Sequence, residues 1–121
     1  MMSSEKEIKN REERPWGYFI NLHRGDNFLV KIIHVNPKGV LSVQSHNHRS
    51  EHWAIVSGVA TVLLSDKEFV VNAGQSVDIP LKAIHSVKNM ADDPLEFIEI
   101  QSGEYLSEED IVRYKDIYGR V

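Results

Sequence analysis

From Trp16 to Gln101 the chain runs in short apolar-rich segments broken by turn residues. WGYFINL, FLVKIIHV, LSVQSHNH, HWAIVSG, ATVLLSD, EFVV, SVDIP, IHSVKN and LEFIEIQ are brief, and most are rich in Val, Ile, Phe or Tyr, which suit a pleated, half-buried surface. Between them lie Arg24-Gly25-Asp26-Asn27, Asn36-Pro37-Lys38-Gly39, Ser65-Asp66-Lys67, Asn72-Ala73-Gly74 and Ala91-Asp92-Asp93-Pro94, all turn-forming clusters. Many short strands without intervening helices predict an all-β sandwich or small barrel. One stretch reads otherwise. Ser107 before Glu108, Glu109 and Asp110 has the form of an N-cap with an acidic first turn. Ile111, Tyr114 and Tyr118, followed by Gly119, then predict a short C-terminal helix.

Length changes this picture little: 121 residues suffice for one domain that buries its own core without staples. There is no cysteine, which excludes thiolate metal sites and cysteine nucleophiles and fits a reducing, cytoplasmic compartment. MMSSEKEIKNREERP is charged and lacks an apolar core, so it predicts a flexible arm over residues 1–13, neither signal peptide nor anchor, ahead of a single domain over 14–121. No apolar run approaches the roughly 20 residues that span a bilayer. A net charge of −4 with no basic block speaks against a nucleic-acid partner.

The candidate chemistry lies in two clusters. The first contains Gln44, His46, Glu51 and Gly58; the second contains Gly74, Pro80, His85 and Asn89. In an extended strand, residues two apart point the same way, so Gln44 and His46 can address one ion, with Glu51 and His85 completing four donors. Two imidazoles, a carboxylate and an amide oxygen suit zinc, and equally manganese, cobalt, nickel or ferrous iron. The same alternation puts Ser42, Gln44, His46 and His48 on one face. A lone histidine is usually a satisfied or exposed imidazole, and His23 and His34 are read that way. The convergence of several donors sets His46 and His85 apart. Because both imidazoles must be neutral to bind, affinity is expected to fall as pH drops through roughly 6.5.

On these residues the chain resembles the cupins. Their first motif appears as Lys38, five residues, Gln44-x-His46, four residues, Glu51, six residues and Gly58. Gln44 stands where histidine is usual, and Lys38 where glycine is. The second appears as Gly74, Pro80, His85 and Asn89, with Lys82 in place of a glycine. The resemblance narrows with RPWG at Arg14 to Gly17, LSVQSHNHRSEHW at Leu41 to Trp53, and PLEFIEIQSGEYLSEEDIVRYKDIYGR at Pro94 to Arg120. These look like the C-terminal domain of type II phosphomannose isomerases. The implied fold is a cupin-type double-stranded β-helix, a jelly-roll barrel.

The implied activity is interconversion of mannose 6-phosphate and fructose 6-phosphate on a divalent metal, commonly zinc. A Gln-x-His pair also recurs among the ligands of type I phosphomannose isomerases, which favours Gln44 as a ligand. Such domains usually follow a mannose-1-phosphate guanylyltransferase, so a separately encoded guanylyltransferase is an expected partner, and cupins commonly form homodimers. The isomerisation moves a proton between C1 and C2 and needs a Lewis acid and a base. Candidate bases are His48, His52 and Glu99, each of which could instead support a ligand. The phosphate calls for cations: Arg49 first, then Lys82, Arg113 and Lys31. Arg14 and Arg120 could tie the termini to the barrel. Ser86 stands where family members often carry arginine, which keeps a second reading open: a non-catalytic cupin that binds a sugar or sugar nucleotide. A cupin oxygenase is a third, disfavoured by Gln44.

Overall fold

The computed structural model describes residues 10–115. Within them the strands are β1 (Glu12–Arg14), β2 (Gly17–Arg24), β3 (Phe28–Val35), β4 (Val43–Ser45), β5 (Ser50–Ser57), β6 (Val59–Leu64), β7 (Lys67–Asn72), β8 (Ser76–Ile79), β9 (His85–Lys88), β10 (Leu95–Ser102) and β11 (Val112–Lys115). They form two antiparallel sheets, a six-stranded one in the order β1-β2-β3-β10-β5-β8 and a five-stranded one in the order β11-β4-β9-β6-β7. One apolar cluster draws on both, with Phe19, Ile33, Trp53, Ile55 and Phe97 from the first and Val62, Val71 and Val87 from the second. Each such side chain contributes about 1.5–3 kcal/mol on leaving water.

Alternation along three neighbouring strands decides where the chemistry can sit. Leu29, Lys31, Ile33 and Val35 of β3 face inward, as do Glu51, Trp53 and Ile55 of β5 and Leu95, Phe97, Glu99 and Gln101 of β10. Register aligns Phe97 with Ile33 and Ile55, then Glu99 with Lys31 and Trp53, then Gln101 with Leu29 and Glu51. The inner wall therefore passes from apolar at one end to charged at the other. Asn89 pins the apolar end: its Nδ2 donates to the carbonyls of Val35 (3.1 Å), Asn36 (3.3 Å) and Asp93 (2.8 Å), and its Oδ1 accepts from Ala91 N (3.0 Å).

Two expectations need correction. Residues 112–115 form strand β11 against β4, not a helix; Ser107 caps only a turn, its Oγ accepting from Glu109 N at 3.0 Å. Tyr118 and Gly119 lie outside the described residues. Of the stretch expected as an arm, residues 1–9 lie outside the described residues, while Glu12 and Glu13 belong to β1 and pair with Phe19 and Tyr18 of β2. No helix of the described residues is long and apolar enough to cross a membrane.

Candidate metal centre

His46, Glu51 and His85 converge at the polar end of the barrel, their donor atoms lying within 4.8 Å of one another. All three are buried. Strand β5 supplies Glu51, β9 begins at His85, and His46 directly follows β4, so three segments from both sheets meet here. His46 Nδ1 is 3.4 Å from Glu51 Oε2, and His85 Nε2 is 4.0 Å from Glu51 Oε1.

The surrounding bonds orient each donor. Trp53 Nε1 donates to Glu51 Oε1 at 2.9 Å and Arg49 Nε to Glu51 Oε2 at 2.9 Å, fixing the carboxylate by both oxygens. His85 Nδ1 donates to Ala83 O at 2.9 Å, which fixes the ring with Nε2 directed toward Glu51. His46 Nε2 faces Arg49 Nη2 at 2.9 Å; guanidinium only donates, so this nitrogen accepts. The His46 pKa is pulled down from 6.5 to about 3, chiefly because burial penalises the charged ring, with Arg49 and His85 acting in the same direction. A neutral imidazole is the form a cation requires, and an ion taken up on Nε2 would replace the Arg49 contact there. Two imidazoles and a carboxylate this close suit a divalent ion.

Gln44 stands opposite His85 in the β4–β9 register and lines the same cavity, its Nε2 donating to Ser42 Oγ at 2.8 Å. The cavity measures about 120 Å³. Arg14, Lys31, Ser86, Glu99 and Arg113 are also in its wall. Lys31 is buried with its Nζ 4.1 Å from the Phe19 ring centroid. Glu99 is buried too and accepts from Gln101 Nε2 at 2.7 Å. Its pKa is raised, first by burial and then by Glu51, against the opposing pull of Lys31, Arg49 and the Gln101 bond.

Other expected site residues go elsewhere. Strict alternation fails after Ser45, where β4 ends, and His48 does not share the His46 face: it is exposed, edge-on to Tyr105 at 5.3 Å, in a separate surface depression. His52 points out of the barrel because inward-facing Glu51 and Trp53 flank it; its Nδ1 is 2.6 Å from Asp78 Oδ1. Lys82 lies in the exposed turn before β9, outside the cavity wall. Arg49 does reach the site, but its guanidinium is held by Glu51, His46 and Ser107 O (3.3 Å). Sequence reasoning missed Trp53 as the partner of Glu51, although β-alternation from Glu51 would have put it on the same face. It also missed Asp110, which carried no signal beyond its acidic neighbours.

Comparisons with known proteins agree with this architecture. A Klebsiella pneumoniae protein with a double-stranded β-helix domain superposes with a TM-score of 0.76 at 14% identity, over 96% of this chain and 97% of that one. The Schizosaccharomyces pombe Cnp3 cupin domain gives a TM-score of 0.73 at 15% identity, over 78% and 68%. At such identities the likeness shows the cupin fold alone. Sequence relatives are nearer. The xanthan biosynthesis protein XanB of Xanthomonas campestris pv. campestris (strain B100) is 47% identical over 97% of this chain and 25% of its own length. The alginate biosynthesis protein AlgA of Pseudomonas aeruginosa is 49% identical over 88% and 22%, and the mannose-1-phosphate guanylyltransferase of Escherichia coli K12 is 43% identical over 97% and 24%. The chain thus spans about a quarter of the length of these relatives. Residues 2–116 match the family described as Mannose-6-phosphate isomerase C-terminal, and with a barrel of the same class and relatives of this kind the chain belongs to that family.

Proposed function

We propose that this chain is a metal-dependent sugar-phosphate isomerase domain that interconverts mannose 6-phosphate and fructose 6-phosphate. One observation carries the reading: Glu51 and His85, clustered with the buried His46, line a cavity together with a second buried carboxylate, Glu99, and the cations Arg14, Lys31 and Arg113. His46, Glu51 and His85, joined by Gln44, would hold the divalent ion, zinc first among the candidates, and the ion would supply Lewis-acid polarisation of the sugar oxygens. Glu99 is the acid–base group: its raised pKa lets it hold and return a proton, and burial shields that proton from water. Glu99 is preferred to His48, which is exposed in a separate surface depression, and to His52, which points out of the barrel toward Asp78. Arg113 and Lys31, with Arg14, take the phosphate contacts first assigned to Arg49 and Lys82. Arg49 orients Glu51 and His46.

Elemental analysis of the purified protein, run beside a coupled isomerase assay on mannose 6-phosphate, tests this. Metal-loaded protein that turns over neither mannose 6-phosphate nor another aldose phosphate rejects it. Ser86 in the cavity wall, a short hydroxyl bonded to Leu41 O at 3.0 Å, favours a second reading, binding of a sugar or sugar nucleotide without turnover beside a separately encoded guanylyltransferase. Ligand-induced thermal stabilisation without turnover selects that one.

A further inference from the structure

We propose that Asp110 is a positioning residue for the metal centre, holding the His46–Arg49 loop from the far side of the cavity wall; this rests on the metal-centre reading above. Asp110 is buried. Its Oδ1 accepts from Asn47 N at 2.9 Å and its Oδ2 from His48 N at 3.0 Å, so one carboxylate grips the two peptide groups that follow His46. Next to it, Ser107 O accepts from Arg49 Nη1 at 3.3 Å. The turn is itself closed by Asp110 N donating to Ser107 O at 3.0 Å and Glu109 N to Ser107 Oγ at 3.0 Å. From here the chain runs on through Ile111 and Arg113, both in the cavity wall.

The physical argument concerns what else could fix this loop. Strand β4 ends at Ser45, so the peptides of Asn47 and His48 lie outside the sheet ladder, and Asn47 and His48 are exposed. A loop carrying a buried imidazole needs its backbone donors satisfied, and a carboxylate accepting two N–H groups is a strong, directional clamp. Partners bonded directly to metal ligands are worth roughly 10- to 100-fold in affinity; Asp110 acts one step further out, through the backbone beside His46, so its effect belongs at the lower end.

Co(II) binding to the intact chain provides the test, read by titration and by the visible absorption of the bound ion, with apo-protein melting followed in parallel. Asp110→Ala is expected to weaken Co(II) binding by about 10-fold, the lower end for groups that orient metal ligands, and to alter the absorption bands. Asp110→Asn keeps one acceptor oxygen but points an amide donor at the second N–H, so it is expected to fall between wild type and Ala. It also serves as the readable variant if Ala does not fold. A purely structural role for Asp110 would lower melting while leaving affinity and spectrum of the folded protein unchanged, and that outcome in both variants overturns the inference. If the wild type itself binds no Co(II), the metal-centre reading falls and takes this inference with it; binding by wild type with unchanged variants overturns this inference alone.

Discussion

Lys38 and Lys82 both hold left-handed backbone, with φ of 69° and 68°. These are the two positions where this chain replaces a glycine of the cupin motifs, and a side chain there costs about 1–2 kcal/mol. Lys82 has an exposed side chain, so Lys82→Gly is expected to stabilise the fold by up to about 1 kcal/mol, part of the relief being returned as unfolded-state entropy. Lys38 partly offsets its strain through Nζ, 2.8 Å from Met90 O and 3.3 Å from Asp92 Oδ1, so Lys38→Gly should gain less. Urea unfolding of both variants checks the order; a loss of stability in Lys82→Gly contradicts it. His46 carries a second residue-scale prediction. Its pKa is about 3 folded against 6.5 free, so between these values the unfolded chain binds more protons. Stability contributed by neutral His46 is full above pH 6.5 and is lost as pH falls from there toward 3. Melting temperature against pH should slope through that window in wild type and flatten in His46→Gln; equal slopes reject the assignment.

At the scale of elements, the β5–β6 turn shows how tightly the sheets are joined. Gly58 has φ of 86°, and a Cβ there would sit 2.6 Å from Pro94 O and 2.9 Å from Leu95 Cα, both backbone. Gly74 has a similar φ of 89° with open space around it. Gly58→Ala is therefore expected to cost more than about 2 kcal/mol, and Gly74→Ala only the backbone strain of about 1 kcal/mol. Equal losses on chemical denaturation would show that the approach to Pro94 is slack. The same scale explains the misread C-terminal segment. Ile111 and Tyr114 have helical spacing, and Ser107 does cap, but the chain between them leaves the turn after Asp110. Pairing with the otherwise open edge of β4 then satisfies the backbone, helped by Tyr114 OH 3.0 Å from Ser45 Oγ. Local propensity had no knowledge of that edge.

For the whole molecule, the metal reading predicts linkage between ion and fold. An ion at 100 times its dissociation constant stabilises the native state by about 2.7 kcal/mol if the unfolded chain does not bind it. Melting should therefore rise on addition of Zn(II) and fall on chelation, and His46→Ala should lose the response. An unchanged wild-type melting temperature at saturating ion would contradict a site built at the junction of the two sheets. Isomerase activity should vanish with chelator and with His46→Ala. Glu99→Gln should retain metal and lose turnover by roughly 100-fold or more, the usual range for an acid–base group.

By itself the sequence determined most of the strands, as short β-branched and aromatic runs bounded by turn residues, and the motif that joins His46, Glu51 and His85. FLVKIIHV and LEFIEIQ carry apolar residues on both faces, and only the tertiary structure decided which face entered the core. Spacing could go no further than the ends of regular structure. Once β4 stops at Ser45, period-two reasoning loses its footing, and only the tertiary structure turned His48 outward, folded Arg49 back onto Glu51, and brought Asp110 across to hold the loop. Glu99 was likewise decided by tertiary structure: it lies between Ile98 and Ile100, and its inward direction and place as the cavity's second carboxylate depend on register with Lys31 and Trp53, which is set by long-range pairing of strands distant in the chain.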